Sequence, residues 1–185
     1  AAAASAQPLR SGWAVAPAGT PLRAAPGGET VREARRGEIL TATGETAEAA
    51  GRAWARLSQG DGPDLWAPAE AVAPARFRTL PGDLIPEAGV CAGVEPFWSA
   101  RWTAASLAVS TDLATAEAVP ATPGTPEGWR HALLRAEGWT LLVEAEACPF
   151  SPVEGRVHGR GALIERGGEG RVFLGCCRPD PAALE

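Results

Sequence analysis

The alternation of apolar and polar residues predicts β-strands along most of the chain. In residues 97–103, apolar side chains alternate with Ser, Arg and Thr, which is the period of a half-buried strand. Residues 139–143 form a further strand candidate. Residues 160–166 and 171–177 flank a Gly-Gly-Glu-Gly sequence, a pattern typical of a hairpin. Strands at this spacing favour a small barrel or sandwich.

The pattern in the first half predicts strands at residues 12–15 and 37–43, with a turn at residues 26–28 between them. Residues 45–57 fit two structures. Their apolar residues recur at helical spacing, but Gly51 interrupts that pattern and the end of the segment also alternates. We favour a strand here, and so expect an all-β protein.

Composition limits the possible partners. The chain has 39 Ala, 17 Arg and no Lys, Asn, Tyr or Met; because the missing types have AT-rich codons, we interpret this bias as genomic. A net charge of −5 with scattered Arg residues gives no nucleic-acid footprint. No apolar run approaches the roughly 18 residues of a membrane span.

The cysteines indicate an oxidising compartment. All four lie in the second half, at Cys91, Cys148, Cys176 and Cys177, without a C-x-x-C pair. With only two His residues in the chain, we expect no metal site and no cofactor. Two disulfides fit best, and three pairings are possible. On a strand, neighbouring cysteines point to opposite faces, so each should take a distant partner.

The N-terminus supports export. The segment Ala4-Ser5-Ala6 has the small-x-small form of a signal-peptidase site. We therefore expect that a secretory signal was removed nearby, which would leave a periplasmic or otherwise exported protein.

The first half resembles a bacterial SH3 domain. Residues 21–28, 36–40, 54–57 and 65–69 follow the order and spacing of the four strand motifs of such domains. The resemblance covers residues 11–74. It implies a small SH3-like barrel that binds peptidoglycan or an envelope protein.

The second half resembles an uncharacterised family of bacterial envelope proteins. Residues 93–98 match the family's GxEPFW opening, and residues 175–178 match its closing GC segment. Cys148 lies where the family has a mid-domain Cys. The resemblance spans about residues 88–180 and implies a small closed β structure, lipocalin-like in outline.

The same resemblance implies the disulfide pairing. Because the mid-domain Cys belongs with the closing segment, Cys148 is expected to pair with Cys176, which leaves Cys91 for Cys177.

Together the two resemblances predict the domain boundaries. Residues 1–10 are expected to be a flexible N-terminus after signal cleavage, residues 11–74 the SH3-like domain and residues 75–87 a linker. Residues 88–180 would form the β domain with four Cys, and residues 181–185 a tail.

Two cysteine-based enzymes are weighed against binding. His158-Gly159 followed by Cys176 resembles the L,D-transpeptidase signature, in which the Cys is acylated and a His acts as its base. Phe173-Leu174 stands where that signature has Ser-His, so the adjacent base is missing. Cys91 lies early enough for a peptidoglycan peptidase, but its surroundings do not begin a helix.

Tryptophan is the remaining chemical feature, because it can fill a core or offer a stacking platform. We expect four of the seven to pack in the two cores, namely Trp54, Trp66, Trp98 and Trp102. The better candidates for partial exposure and ligand binding are Trp13, Trp129 and Trp139.

The sequence thus predicts a non-enzymatic, exported cell-envelope binding protein. Its partner is expected to be peptidoglycan or an envelope protein, recognised through the SH3-like domain. As alternatives, the C-terminal barrel binds a small ligand or inhibits a cell-wall lytic enzyme, or the chain is a degenerate cysteine acyl transferase.

Overall fold

The computed structural model describes most of the chain: residues 10–58, 62–81, 85–94, 96–111, 115–124, 131–148, 158–167 and 170–185. Within these ranges there is no α-helix, and regular structure is almost entirely β apart from two short 3-10 turns. The expected all-β barrel class is confirmed. The chain divides into two compact units, Ala1–Ala75 and Arg76–Glu185.

The first unit is a seven-stranded antiparallel sheet with the order β3-β2-β6-β5-β4-β1-β7. Its strands are β1 (Gly12–Val15), β2 (Pro21–Arg23), β3 (Thr30–Glu33), β4 (Leu40–Ala49), β5 (Arg52–Ser58), β6 (Leu65–Pro68) and β7 (Ala73–Pro74). A 3-10 turn at Ala69–Ala71 lies between the last two strands.

The ambiguous segment of the sequence is a hairpin. Strands β4 and β5 pair in antiparallel register up to Ala49 and Arg52. The two residues between them, Ala50 and Gly51, have φ values of 51° and 71°. A two-residue turn of this kind matches the right-handed twist of the strands. Gly51, which interrupts the helical pattern, is therefore a turn residue.

Ala50 is the residue of this turn that fits it least well. Left-handed backbone costs an L-residue other than Gly, Asn or Asp roughly 1–2 kcal/mol. We expect Ala50→Asn to raise the free energy of unfolding of the first unit by about 0.5–1 kcal/mol, measured by urea denaturation. Gly51→Ala is the matched control and should lower it. If Ala50→Asn is neutral or destabilising, the turn does not carry this strain.

The core of the first unit contains buried Leu and Ala residues from β1, β2, β4, β5 and β6. Trp54 is also buried, as expected, and lies between the guanidinium groups of Arg23 and Arg52, at 5.5 and 5.7 Å from its ring. Trp66, expected in the core, is only half-buried. Its position on β6 falls between the inward-facing Leu65 and Ala67, so its side chain is on the opposite face.

The second unit is a nearly closed nine-stranded barrel. Its strands are β8 (Gly89–Val94), β9 (Phe97–Trp102), β10 (Ser106–Thr111), β11 (Thr115–Pro120), β12 (Thr122–Gly124), β13 (His131–Ala136), β14 (Trp139–Ala147), β15 (His158–Glu165) and β16 (Val172–Pro179). Consecutive strands pair with each other, except for β11 and β12, which lie at the two edges of the sheet, and β16 also pairs with β8. Strands β11 and β12 are separated by Ala121 alone; the first pairs with β10 and the second with β13.

The ends of the second unit differ from the predicted boundaries. Within residues 75–87, predicted as a linker, Leu80 and Ile85 are buried in the core of the barrel. The predicted tail, residues 181–185, is ordered too: the Arg78 N–H donates to the Ala183 carbonyl at 2.9 Å. Only apolar residues can cover the apolar barrel core without leaving polar groups unpaired, and these segments supply them.

Two disulfides join the strands of the barrel, and they are the pairs that the sequence predicts. Cys91 on β8 and Cys177 on β16 are direct ladder partners. Cys148, just after β14, is bonded to Cys176. Because Cys176 and Cys177 are consecutive on β16, their side chains leave opposite faces of the strand, and Cys177 is the one that joins the core.

Candidate functional site

Of the three tryptophans predicted to bind a ligand, the two that the structure describes belong to different units. Trp139 is half-buried and packs on the barrel core, with its ring 6.3 Å from that of Phe173. Trp13 is half-buried on β1 of the first unit. Trp129 lies outside the described residues.

The residues of the acyl-transferase alternative are arranged differently from an active site. Cys176 is bonded to Cys148, so its sulfur carries no proton and no nucleophilic thiolate. His158 begins β15, where its backbone is the ladder partner of Ala147. Across the ladder from Cys176 stands Arg160 instead. This alternative therefore requires reduction of the disulfide first.

Large side chains point into the barrel. Trp98 and Trp102 point inward, and their indole N–H groups donate to the carbonyls of Leu174 and Pro86, each at 3.0 Å. The ring of Phe173 lies 6.5 Å from that of Trp98. A barrel of this size has an interior that side chains can just fill.

Glycines on the inward faces make room for these large groups. A methyl group at Gly93 would overlap both the Trp98 indole nitrogen and the Leu174 carbonyl that it bonds. One at Gly161 would overlap the Cys177 sulfur and lie 2.8 Å from that of Cys91. The Gly of the GxEPFW segment is thus needed for the Trp that ends it.

The unusual feature of the barrel is an apolar row on its outside. Leu133, Leu142, Ala162 and Leu174 are successive ladder partners across β13, β14, β15 and β16. On β8 and β9, the ladder partners Val94 and Phe97 also expose apolar side chains on the outside of the barrel. The exposed fraction of the residue rises to 48% at Leu174 and 72% at Phe97. This end of the row is therefore in contact with solvent.

A row of charged groups runs beside the apolar one. His131 and Glu144 are ladder partners, and the His Nδ1 lies 2.8 Å from a Glu144 carboxylate oxygen. The other oxygen of Glu144 accepts from Arg160 Nε, and Arg160 also lies 3.2 Å from Glu146. The hydrogen bond to Glu144 raises the pKa of Arg160 further above its usual range. Arg160 thus contacts both carboxylates of β14, and His131 contacts one of them.

The exposed end of the apolar row belongs to β9, β8 and β16, whose outward-facing residues we call the three-strand face. Its outward residues are Phe97, Ser99, Arg101, Val90, Ala92, Val94, Val172, Leu174, Cys176 and Arg178. Five are Val, Leu or Phe, two are Arg, and none carries a carboxylate. Asp180, just beyond β16, lies 3.4 Å from Arg101, whereas no ion pair joins Arg178 to a described residue.

Sequence reasoning missed the three-strand face. The available signal was the presence of apolar residues at consecutive positions, Val172-Phe173-Leu174 and Phe97-Trp98. In a strand with one solvent-exposed face, apolar and polar residues alternate. Consecutive apolar residues therefore indicate a strand with apolar side chains on both faces.

Fold and site together define an all-β protein of two units, the second a disulfide-linked barrel with an apolar outer face. Comparison of the chain with protein-family models, with curated proteins and with solved structures finds no match. The two family resemblances therefore remain predictions from motifs. Among the described residues, no His, Cys, Asp and Glu side chains cluster as metal ligands, and no helix has the length and hydropathy of a membrane span.

Proposed function

We propose that this chain is a non-enzymatic binding protein of the bacterial cell envelope, and that it works through its outer surfaces. Its partner is an envelope protein or peptidoglycan. The observation that carries the proposal is the outer face of the second unit, which exposes Phe97, Val94, Val172 and Leu174. Large exposed apolar patches mark interaction sites.

The compartment follows from the sulfur chemistry. Both disulfides join cysteines far apart in sequence, with separations of 86 and 28 residues. Such bonds persist in oxidising compartments and are rare in the cytosol. The signal-peptidase pattern at Ala4-Ser5-Ala6 supports export, and the motifs of residues 93–98 and 175–178 support an envelope location.

The surface favours a protein partner for the second unit. Peptidoglycan binding is supported by the order of SH3-like motifs in residues 11–74 and by the half-buried Trp13. Trp98 and Trp102 are buried in the barrel, whereas its exposed large apolar side chains lie on the outside. Inhibition of a lytic enzyme by surface contact is therefore the better-supported form of that alternative.

Two binding measurements on the full chain test the proposal. The chain is co-sedimented with purified peptidoglycan, and it is mixed with an extracytoplasmic protein extract and followed by size-exclusion chromatography. We expect either pelleting or a shift to a larger species. The control is the chain with both disulfides reduced and alkylated. Because all four cysteines lie in the second unit, the control tests the shift with the extract alone. Binding in neither assay, or an equal shift with the extract by the control, contradicts the proposed function.

A further inference from the structure

We infer that the three-strand face is the docking site for an acidic protein segment that carries an apolar anchor. The inference rests on the proposed function and names the chemistry of the partner. Its basis is the combination, on one face, of exposed apolar side chains with arginine and without carboxylate.

The apolar part of the face has the size of a binding site. Phe97, Val94, Val172 and Leu174 are exposed by 72%, 59%, 56% and 48%. Together they expose on the order of 400 Å² of apolar surface, the size of the largest and often functional patch on a typical monomer. A standard interface covers about 800 Å² on each partner, rather more than half of it apolar. The patch can therefore form the centre of one such interface.

The charges of the face indicate that the partner carries negative charge. Along the ladder, Arg101, Val90 and Arg178 form a row beyond Ser99 and Ala92, on the side away from the apolar end. Arg101 is 64% exposed, with Asp180 at the long distance of 3.4 Å, and Arg178 is exposed. In a chain of net charge −5, this face is locally cationic. Complementary charge fixes the orientation of a partner and speeds its approach, so its carboxylates should lie beside its apolar anchor.

A second copy of the chain fits this face poorly. A two-fold contact pairs the same patch with itself, so both sides would bring Arg101 and Arg178, and neither face would bring an outward carboxylate to meet them. Like charges brought together at an interface disfavour binding.

An anionic lipid surface fits poorly as well. Recognition of anionic lipids uses clusters of roughly four to eight Lys or Arg residues. This face carries two, Arg101 and Arg178, and the first lies 3.4 Å from Asp180.

Selection from a displayed library of random peptides tests the inference directly. The full chain, with its disulfides intact, is the target, and selected peptides are measured by fluorescence anisotropy. We expect peptides in which an aromatic or aliphatic residue is flanked by Asp or Glu. Phe97→Ser and Arg178→Glu should each weaken their binding about tenfold or more. Raised salt should weaken binding to the wild-type chain.

The controls are matched changes in the first unit. Val31→Ser removes an equally exposed apolar side chain, and Arg36→Glu reverses an exposed charge; both should leave peptide binding unchanged. Near-identical circular dichroism and melting of all four variants shows that the surface alone was altered.

Several results would overturn the inference. One is a selection that gives basic or neutral peptides, or none that depend on Phe97. Another is a dimer in sedimentation velocity that Phe97→Ser dissociates. The third is binding to phosphatidylglycerol vesicles, but not to phosphatidylcholine vesicles, that depends on Phe97. Extract binding that survives Phe97→Ser would leave the proposed function standing while this inference fails.

Discussion

Replacing Gly161 with alanine is expected to lower the free energy of unfolding of the second unit by about 3 kcal/mol, at the upper end of the usual cost of overpacking. The added methyl group would overlap the Cys177 sulfur and approach that of Cys91 to 2.8 Å, with the Leu142 carbonyl at 3.2 Å behind it. Neither a disulfide in a core nor a paired backbone can move aside cheaply. Urea denaturation followed by tryptophan fluorescence measures the loss.

Two further variants isolate the cause. Gly124→Ala, in β12 of the same barrel, adds a methyl group that meets nothing within 4 Å and should be close to neutral. In a chain that also carries Cys91→Ala and Cys177→Ala, the sulfur atoms are gone, and Gly161→Ala should cost less than about 1 kcal/mol because neighbouring substitutions are not additive. An equal cost in both backgrounds would show that the clash is not with the disulfide.

Removing the inner disulfide is expected to have the largest effect of any change in the molecule. The bond between Cys91 and Cys177 spans 86 residues, and loop-closure entropy predicts a loss of about 4.5 kcal/mol for the double alanine variant. The bond between Cys148 and Cys176 spans 28 residues, for which the same relation predicts about 3.5 kcal/mol. The two double variants thus act as controls for each other.

The measurements are urea unfolding and thiol titration. Under denaturing but non-reducing conditions the wild-type chain should show no free thiol, since all four cysteines are paired. Any reactive thiol would contradict the pairing. If removal of the Cys148–Cys176 bond lowers the free energy of unfolding more than removal of the Cys91–Cys177 bond, loop length does not govern the effect.

Alternation along the chain is sufficient to predict the strands that have one wet face. Trp98, Ala100 and Trp102 are all buried on β9, as their period requires. Alternation does not predict strand β13. Its inward residues, Ala132, Leu134 and Ala136, are mostly alanine, and alanine is too common in this chain to mark a face.

The candidate site is harder to predict than the fold because it depends on non-local pairing. Val94 and Leu174 are 80 positions apart in the sequence, and only the pairing of β8 with β16 brings them to one surface. Trp139, interpreted from the sequence as a partly exposed residue, is half-buried. Its ring lies 6.3 Å from that of Phe173, which is distant in the sequence.

The adjacency of Cys176 and Cys177 has a consequence for the order of events in folding. If β16 slipped by one residue, every side chain would change face, so Cys176 would turn toward Cys91 and Cys177 toward Cys148. Oxidation at that moment would seal the wrong alignment with two complete bonds. Strand alignment must therefore come before oxidation, or the bonds must be reopened by thiol exchange. A chain that is oxidised before β16 is aligned therefore needs a compartment that can rearrange disulfides as well as form them.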